Sequence, residues 1–251
     1  MPLRVAFYSL SSCMGCLFSI AAHIEDLFNV LGEDGISIEY YKCFREDSSD
    51  EYTPLTDVAF VEGVVVTRED EENLRNIRRR TKYLVALGTC AATGNTAYYA
   101  VEELKEKGIP IDAKPLSEIV YVDYEIRGCP APFNEVVNIL VKLSRGWVRI
   151  WQPDYTVCRE CKLSGVACLL DEGKPCLGPL TMGGCGAPCP NNGVPCIGCR
   201  GLAQEAQVES YIKIIREKGI PLEVVIGRLK LAMGKHVKEL LRKLEETYEH
   251  S

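Results

Sequence analysis

The chain has 251 residues, of which 47% are hydrophobic and 25% are charged, a composition typical of a globular protein with one domain and an appendage or two smaller domains. Its net charge of −6 argues against a nucleic-acid partner, because phosphate binding requires a basic surface. The longest apolar run, "VAFVEGVVV" (58–66), is too short to span a membrane, and the N-terminus lacks a signal-peptide pattern. We therefore expect a cytoplasmic protein whose thiols are kept reduced.

Short apolar runs alternate with helical patterns over the first ~145 residues, which predicts an α/β domain with a mostly parallel sheet. The predicted strands are 4–10, 36–44, 57–66, 82–88 and 118–126. The predicted helices between and after them are 17–31, 69–80, 95–107 and 133–144. We place this domain at residues 1–146 and a second domain at 147–251.

The pattern changes between Val157 and Gly201, where periodicity is weak, Gly and Pro are frequent, and eight cysteines occur. Such a segment is not expected to build a hydrophobic core, so something other than burial should hold it in place. Helical patterns return at 204–218 and from 222 to about 248.

Four cysteines of the first domain follow predicted strands. Cys13 and Cys16 come just after the first strand, Cys90 after the fourth and Cys129 after the fifth. Because the carboxyl ends of parallel strands line the ligand-binding crevice, these loops should bring four thiolates together. The glycines among them would let the backbone approach a bound group: Gly15, Gly88, Gly94 and Gly128. Cys43 lies within a strand pattern and is predicted to be a core residue.

The second set comprises the eight cysteines of the irregular segment: Cys158, Cys161, Cys168, Cys176, Cys185, Cys189, Cys196 and Cys199. Disulfides are disfavoured by the odd total of thirteen cysteines and by a reducing compartment. Eight thiolates would make two four-cysteine sites, each able to hold zinc or a four-iron cluster. The Gly and Pro between the ligands, together with the strand-end crevice of the first domain, favour clusters over zinc.

The motifs "SCMGC", "VEG", "GTCAATGN", "GCPAP", "GPLTMGGCGAPCP" and "PCIGCRG" resemble those of the small subunit of [NiFe] hydrogenases. The similarity is greatest to the soluble, cytoplasmic, archaeal sulfhydrogenase type, in which this subunit is called delta. It covers most of the chain from Arg4 to Gly201. The resemblance implies a flavodoxin-like domain with a proximal cluster, followed by a small irregular iron–sulfur domain with C-terminal helices.

The resemblance also implies three [4Fe–4S] clusters and no catalytic residue on this chain. Cys13, Cys16, Cys90 and Cys129 correspond to the proximal ligands. Cys158, Cys161, Cys168 and Cys176 correspond to the distal ligands, and Cys185, Cys189, Cys196 and Cys199 to the medial ligands. The periplasmic branch of the family has His in place of Cys158 and Pro in place of Cys189, with a three-iron medial cluster; four cysteines here imply a four-iron cluster.

The implied function is electron transfer within a hydrogenase complex that oxidises or evolves hydrogen at a nickel–iron site on a partner large subunit. No GxGxxG motif follows a strand and no P-loop occurs, so a flavin, nicotinamide or further iron–sulfur acceptor would lie on another subunit. A freestanding ferredoxin-like carrier, a respiratory complex I homologue with the proximal site alone, and a zinc-stabilised binding module are alternatives.

Two positions depart from the resemblance. "LFSI" follows Cys16 where many relatives place a Glu, and "GCPAP" replaces the commoner "GCPP". Two roles are considered for Glu62 of the "VEG" motif: proton transfer at a subunit interface, or capping of a nearby backbone.

Overall fold

The computed structural model describes residues 2–32, 35–44, 53–109 and 111–249. The chain divides into two compact units, Met1–Trp151 and Gln152–Ser251. Within the described ranges, no helix combines the length and the apolar character that crossing a membrane would require.

The first unit is built on a parallel sheet of five strands within the described residues. The strands are β1 (Leu3–Ser9), β2 (Ile36–Tyr41), β3 (Thr56–Glu62), β4 (Thr81–Leu87) and β5 (Tyr124–Ile126). Their order is β2-β1-β3-β4-β5, which is the doubly wound order of flavodoxin-like proteins. The predicted fold class is therefore confirmed.

Helices cover both faces of this sheet, as parallel strands require. They are α1 (Gly15–Ala21), α2 (Ile24–Leu31), α3 (Arg68–Arg80), α4 (Gly88–Thr93), α5 (Asn95–Glu106) and α6 (Phe133–Ser144). Alternate residues of β1 enter different cores: Val5 packs with the apolar residues of α1, α2 and α6, and Ala6 with those of α3 and α4. The sheet is therefore packed on both faces, and the loops that follow its strands are not needed to build these cores.

Several boundaries differ from the prediction: β3 ends at Glu62 rather than at 66, and β5 begins at Tyr124 rather than at 118. The helix predicted at 17–31 is two helices, because the His23 N–H bonds to the Ile20 carbonyl and tightens the turn between them. Strand β2 ends at Tyr41, so Cys43 lies in the short 3₁₀ turn Lys42–Phe44 rather than in a strand. Helix α4, which carries Cys90, was not predicted.

The second unit contains helices α7 (Val157–Leu163), α8 (Pro188–Asn191), α9 (Val208–Glu217), α10 (Leu222–Ala232) and α11 (Val237–Glu249). The single helix predicted from 222 onward is interrupted because Gly234 takes a φ of 51°, outside the right-handed helical region. Helix α7 was not predicted; two turns are too short to show a clear apolar period.

The expectation that the cysteine-rich segment lacks apolar burial is too strong. Leu177 and Leu180 are fully buried. A Cβ atom on Gly198 would lie 3.1 Å from Leu177 Cδ1 and 2.9 Å from Met233 Cε, so the segment packs against the end of α10. Apolar contact with the terminal helices thus supports part of the segment.

Candidate metal centres

The four cysteines of the first unit lie at the carboxyl edge of the sheet. Cys13 and Cys16 follow β1, Cys90 lies in α4 directly after β4, and Cys129 follows β5. Burial raises the pKa of Cys16, as do the charges of Cys90 and Cys129. Burial also raises the pKa of Cys90, with a contribution from the charge of Cys13. The structure therefore brings all four of these thiols into one electrostatic neighbourhood.

Gly88 is required where β4 passes into α4. Its φ is 84°, and a Cβ atom there would lie only 2.5 Å from the Cys16 sulfur. A side chain at this position would displace the thiol and strain the backbone. The chain at the end of β4 can therefore approach Cys16 this closely only with glycine at this position.

The loop that carries Cys13 and Cys16 is fastened by the buried Glu62 at the end of β3. Glu62 Oε2 accepts a hydrogen bond of 2.9 Å from the Leu17 N–H. Its Oε1 accepts bonds of 2.6 Å from the Ser12 hydroxyl and 3.3 Å from the Ser9 hydroxyl. Of the two roles predicted for Glu62, these contacts match the backbone cap.

The loops of Cys90 and Cys129 are joined directly. The Thr89 N–H donates to the Gly128 carbonyl at 3.0 Å, and the Gly128 N–H donates to Thr89 Oγ1 at 2.8 Å. Asn95 Nδ2 donates to the Cys90 sulfur at 3.7 Å. Sequence reasoning missed Thr89 and Asn95, although both belong to the "GTCAATGN" motif.

Cys43 lies apart from the four loop cysteines in the chain and packs against the apolar core formed by β1, β3 and α6. Burial raises the pKa of its thiol, with a smaller contribution from the Glu62 charge. These contacts agree with the core role predicted for Cys43.

The predicted distal set also gathers in one place. Cys158 and Cys161 lie on α7, whereas Cys168 and Cys176 come from the loop that follows. Burial raises the pKa of Cys158 to about 12, helped by the charges of the other three cysteines. Burial also raises the pKa of Cys161, and the charges of Cys176 and Cys168 raise it further.

Three members of the predicted medial set influence one another. Burial raises the pKa of Cys185 to about 11 and that of Cys196 to about 12, and the charge of Cys199 adds to both increases. Cys189 lies in the short helix α8. The two sets meet where the Cys196 N–H donates to the Cys176 sulfur at 3.2 Å.

All three sets consist of cysteine side chains, and no disulfide joins any of the thirteen cysteines in the part of the chain that the structure describes. Within the described ranges, no three or more His, Cys, Asp or Glu side chains are arranged to hold a single metal ion. A Cβ atom on Gly178 would lie 3.3 Å from the Cys158 sulfur and 3.5 Å from the Cys176 sulfur, so backbone approaches these thiols closely. Four thiols beside such backbone fit an iron–sulfur cluster, whose usual ligands are cysteine thiolates.

Comparison with known proteins places this arrangement in a family. The family model described as NADH ubiquinone oxidoreductase, 20 Kd subunit, matches residues 13–143. The chain belongs to this family. The match spans the loops of Cys13, Cys16, Cys90 and Cys129 and ends before the cysteine-rich segment.

Relatives that also extend over the second unit are hydrogenase subunits. The chain is 35% identical over 242 residues to sulfhydrogenase 2 subunit delta of Pyrococcus furiosus, covering 91% of this chain and 98% of that protein. It is 26% identical over 269 residues to an iron-sulfur subunit of the F420-non-reducing hydrogenase of Archaeoglobus profundus, covering 80% and 83%. Within the family, the chain is therefore a [NiFe] hydrogenase small subunit of the archaeal type, as its motifs predicted.

Solved structures support the fold. A chain of the [NiFeSe] hydrogenase from Dm. baculatum is 18% identical and superposes with a TM-score of 0.57, over 80% of this chain and 94% of that one. At this identity the likeness concerns the fold alone.

Proposed function

We propose that this chain is the electron-transfer subunit of a [NiFe] hydrogenase and relays electrons between a large subunit and a further acceptor through three [4Fe–4S] clusters. The observation that carries the proposal is the convergence of four thiols from three loops at one edge of the sheet. The eight cysteines of the second unit would supply the remaining two clusters.

The clusters would supply one-electron transfer at potentials set by charge, exposure and hydrogen bonds to sulfur. The chain's own residues hold and shield them. Glu62 and Thr89 fix the loops that present Cys16 and Cys90, and Asn95 donates a hydrogen bond toward the Cys90 sulfur. Because such bonds stabilise negative charge on sulfur, they favour the reduced cluster.

The large subunit would dock where the proximal site reaches the surface. Cys13 and Cys129 are exposed in this chain, whereas Cys16 and Cys90 are partly buried. Phe18, on the helix that begins beside Cys16, is 58% exposed. An apolar side chain next to exposed ligands is suited to burial against another subunit.

The complex would operate in the cytoplasm, with electrons leaving to a flavin, nicotinamide or iron–sulfur subunit. The assignment as a hydrogenase subunit that binds iron–sulfur clusters is supported by relatives that are themselves hydrogenase subunits, one of which is named an iron-sulfur subunit.

Anaerobic purification of the native protein tests the proposal. We expect a brown complex that contains a large subunit, reduces a dye with hydrogen, and carries about twelve iron atoms and as much acid-labile sulfide per copy of this chain. About two zinc atoms with negligible iron in a colourless protein would overturn it in favour of a zinc-stabilised module. A stable, cluster-loaded monomer without hydrogen-dependent activity would instead indicate a freestanding ferredoxin-like carrier.

A further inference from the structure

Glu160 connects the two cysteine sets of the second unit. It lies on α7 between Cys158 and Cys161, which belong to the predicted distal set. Its side chain nevertheless contacts the segment around Cys185, which belongs to the predicted medial set. Oε1 accepts a hydrogen bond of 2.7 Å from the Gly184 N–H, and Oε2 accepts one of 3.0 Å from the Gly186 N–H.

These two bonds flank the Cys185 ligand on both sides in sequence. The Cys185 sulfur itself lies 3.8 Å from Glu160 Oε2, within the range of an S–H hydrogen bond. The Tyr155 hydroxyl donates to Oε1 at 3.1 Å and is a third donor to the carboxylate. A carboxylate is well suited to this position, because its two oxygens can accept from two backbone donors at once.

Two charges of opposite sign act on Cys185. The Arg200 side chain is fully buried, and its Nε donates to the Gly183 carbonyl at 2.8 Å. Glu160 Oε2 lies 3.8 Å from the Cys185 sulfur, close enough for its negative charge to act on a group bound there. A cluster held by Cys185 would therefore experience a fixed negative charge from a helix that belongs to its neighbour's site.

We infer that Glu160 is a positioning residue shared by two cluster sites: it fastens the Cys185 loop to the helix of Cys158 and Cys161, and its negative charge lowers the reduction potential of the cluster at Cys185. The inference rests on the proposed function. It follows that the relative potentials of the two clusters, and not only their spacing, depend on this one carboxylate.

Glu172 provides a matched control. It lies in the same unit between two cysteines of the distal set, Cys168 and Cys176, and pairs with Lys174 at 2.8 Å on the surface. Glu172→Gln removes the same charge as Glu160→Gln but disturbs no backbone contact of a cysteine loop that the structure describes.

The experiment is a redox titration of the three clusters by electron paramagnetic resonance in the anaerobically purified complex. In Glu160→Gln we expect one midpoint potential to become more positive by about 59 mV, equivalent to a tenfold gain in one-electron affinity. The other two midpoints should stay near their wild-type values. Glu172→Gln should leave all three unchanged.

Iron content provides a second measurement that is independent of the potentials. Glu160→Ala removes both acceptors, so we expect selective loss of about four iron atoms per chain, whereas Glu172→Ala should retain the full content. If Glu160→Gln fails to fold, Glu160→Asp preserves the charge but shortens the side chain, and it should lose iron from the same single site.

The outcomes distinguish this inference from the proposed function. A loaded wild-type complex in which Glu160 and Glu172 variants behave alike, or in which all three midpoints shift together, overturns the role of Glu160 and leaves the hydrogenase assignment standing. A wild-type complex without iron–sulfur clusters overturns both.

Discussion

The two units present their cysteines on different kinds of support. In the first unit, the ligand loops leave strands whose side chains already form complete cores on both faces of the sheet, with Phe7, Phe60 and Leu84 fully buried. In the second unit, the eight cysteines lie on two short helices and in the loops that follow each of them. Contacts to thiols and to the Glu160 carboxylate hold these loops. The cysteines of the first unit extend from a sheet that is packed on both faces. In the second unit, the contacts made by the cysteine segments are themselves among the contacts that hold those segments in place.

This difference predicts how strongly folding depends on metal binding in each unit. When a site forms only together with its surrounding chain, the free energy of binding becomes free energy of folding. The apolar contacts of Leu177 and Leu180 anchor part of the segment, whereas hydrogen bonds hold the loop of Cys185 and the short helix α8 that carries Cys189. We therefore expect the second unit to be the more dependent on its clusters.

The largest expected effect follows removal of iron and sulfide. Hydrogen exchange measured by mass spectrometry should show that residues 157–201 lose most of their protection, while β1, β3 and β4 keep theirs. These strands are held by apolar cores on both faces of the sheet, whose buried members are not predicted cluster ligands. Equal loss of protection in both units would show that the sheet also depends on its cluster. It would contradict the expectation that the second unit is the more dependent on bound clusters.

Replacing one predicted ligand should affect a single cluster. Cys189→Pro introduces the residue that the periplasmic branch of the family has at this position, and proline offers no thiolate. We expect the loss of about one iron atom per chain and a new oxidised three-iron signal by electron paramagnetic resonance, with the other two clusters intact. Hydrogen-dependent dye reduction should survive in part, because a dye can take electrons near the proximal cluster.

Cys43→Ser is the control for that substitution. Cys43 packs against the core, so this variant should retain all of its iron. Three complete four-iron clusters in Cys189→Pro would show that Cys189 is not a ligand, and iron loss in Cys43→Ser would then identify the missing thiolate.

In the first unit the loop of Cys13 and Cys16 should be sensitive to Glu62. Glu62→Ala leaves the buried Leu17 N–H without its acceptor and also removes the acceptor of the exposed Ser12 hydroxyl. We expect a loss of about 2 kcal/mol in the free energy of unfolding, because each buried unsatisfied group costs about 1–3 kcal/mol. Urea unfolding measures the loss, and the iron content should fall by the proximal cluster alone.

Glu72→Ala is the matched control, since Glu72 is exposed on α3 and should change the stability by less than about 0.5 kcal/mol. If both variants unfold at the same urea concentration and keep all of their iron, the capping role of Glu62 is wrong.

The same contrast explains which features were predictable from the sequence. Strands β1 and β4 and helices α3 and α6 appear nearly at their predicted bounds, because their apolar residues recur with the period of the element. The family motifs predicted a small subunit, and the comparisons confirmed it. The ligand set and its division into three clusters remain predictions.

The remaining features depend on contacts between residues distant in the chain. Glu160 and Gly184 are separated by 24 positions, and no local pattern shows that they meet. Thr89 and Gly128 are separated by 39 positions and meet only because β4 and β5 are neighbours in the sheet. The turns at His23 and Gly234, which divide predicted helices, depend on one residue each and leave the apolar period almost unchanged.

The smallest expected effect concerns Asp70, which links the cysteine loop of the first unit to α3. Asp70 Oδ2 accepts hydrogen bonds from the Thr67 N–H at 2.9 Å, the Val66 N–H at 3.0 Å and the Ser11 hydroxyl at 2.8 Å. Burial opposes ionisation of this carboxyl, but the hydrogen bonds outweigh it and hold its pKa below the usual value of 3.8. Asp70→Asn should lower the free energy of unfolding by about 1 kcal/mol near pH 7, as the loss of a helix cap does.

The pH dependence of that loss gives the decisive test. Because the pKa of Asp70 is lower in the folded than in the unfolded chain, its contribution is fully present above the unfolded value and disappears as the pH falls through the folded value. The difference in stability between wild type and Asp70→Asn should therefore shrink as urea unfolding is repeated from pH 6 down to pH 3. Asp154→Asn removes one charge at an exposed position and should leave the wild-type profile unchanged. If the difference in unfolding free energy between wild type and Asp70→Asn stays constant over this range, the effect of the substitution does not come from the carboxylate charge.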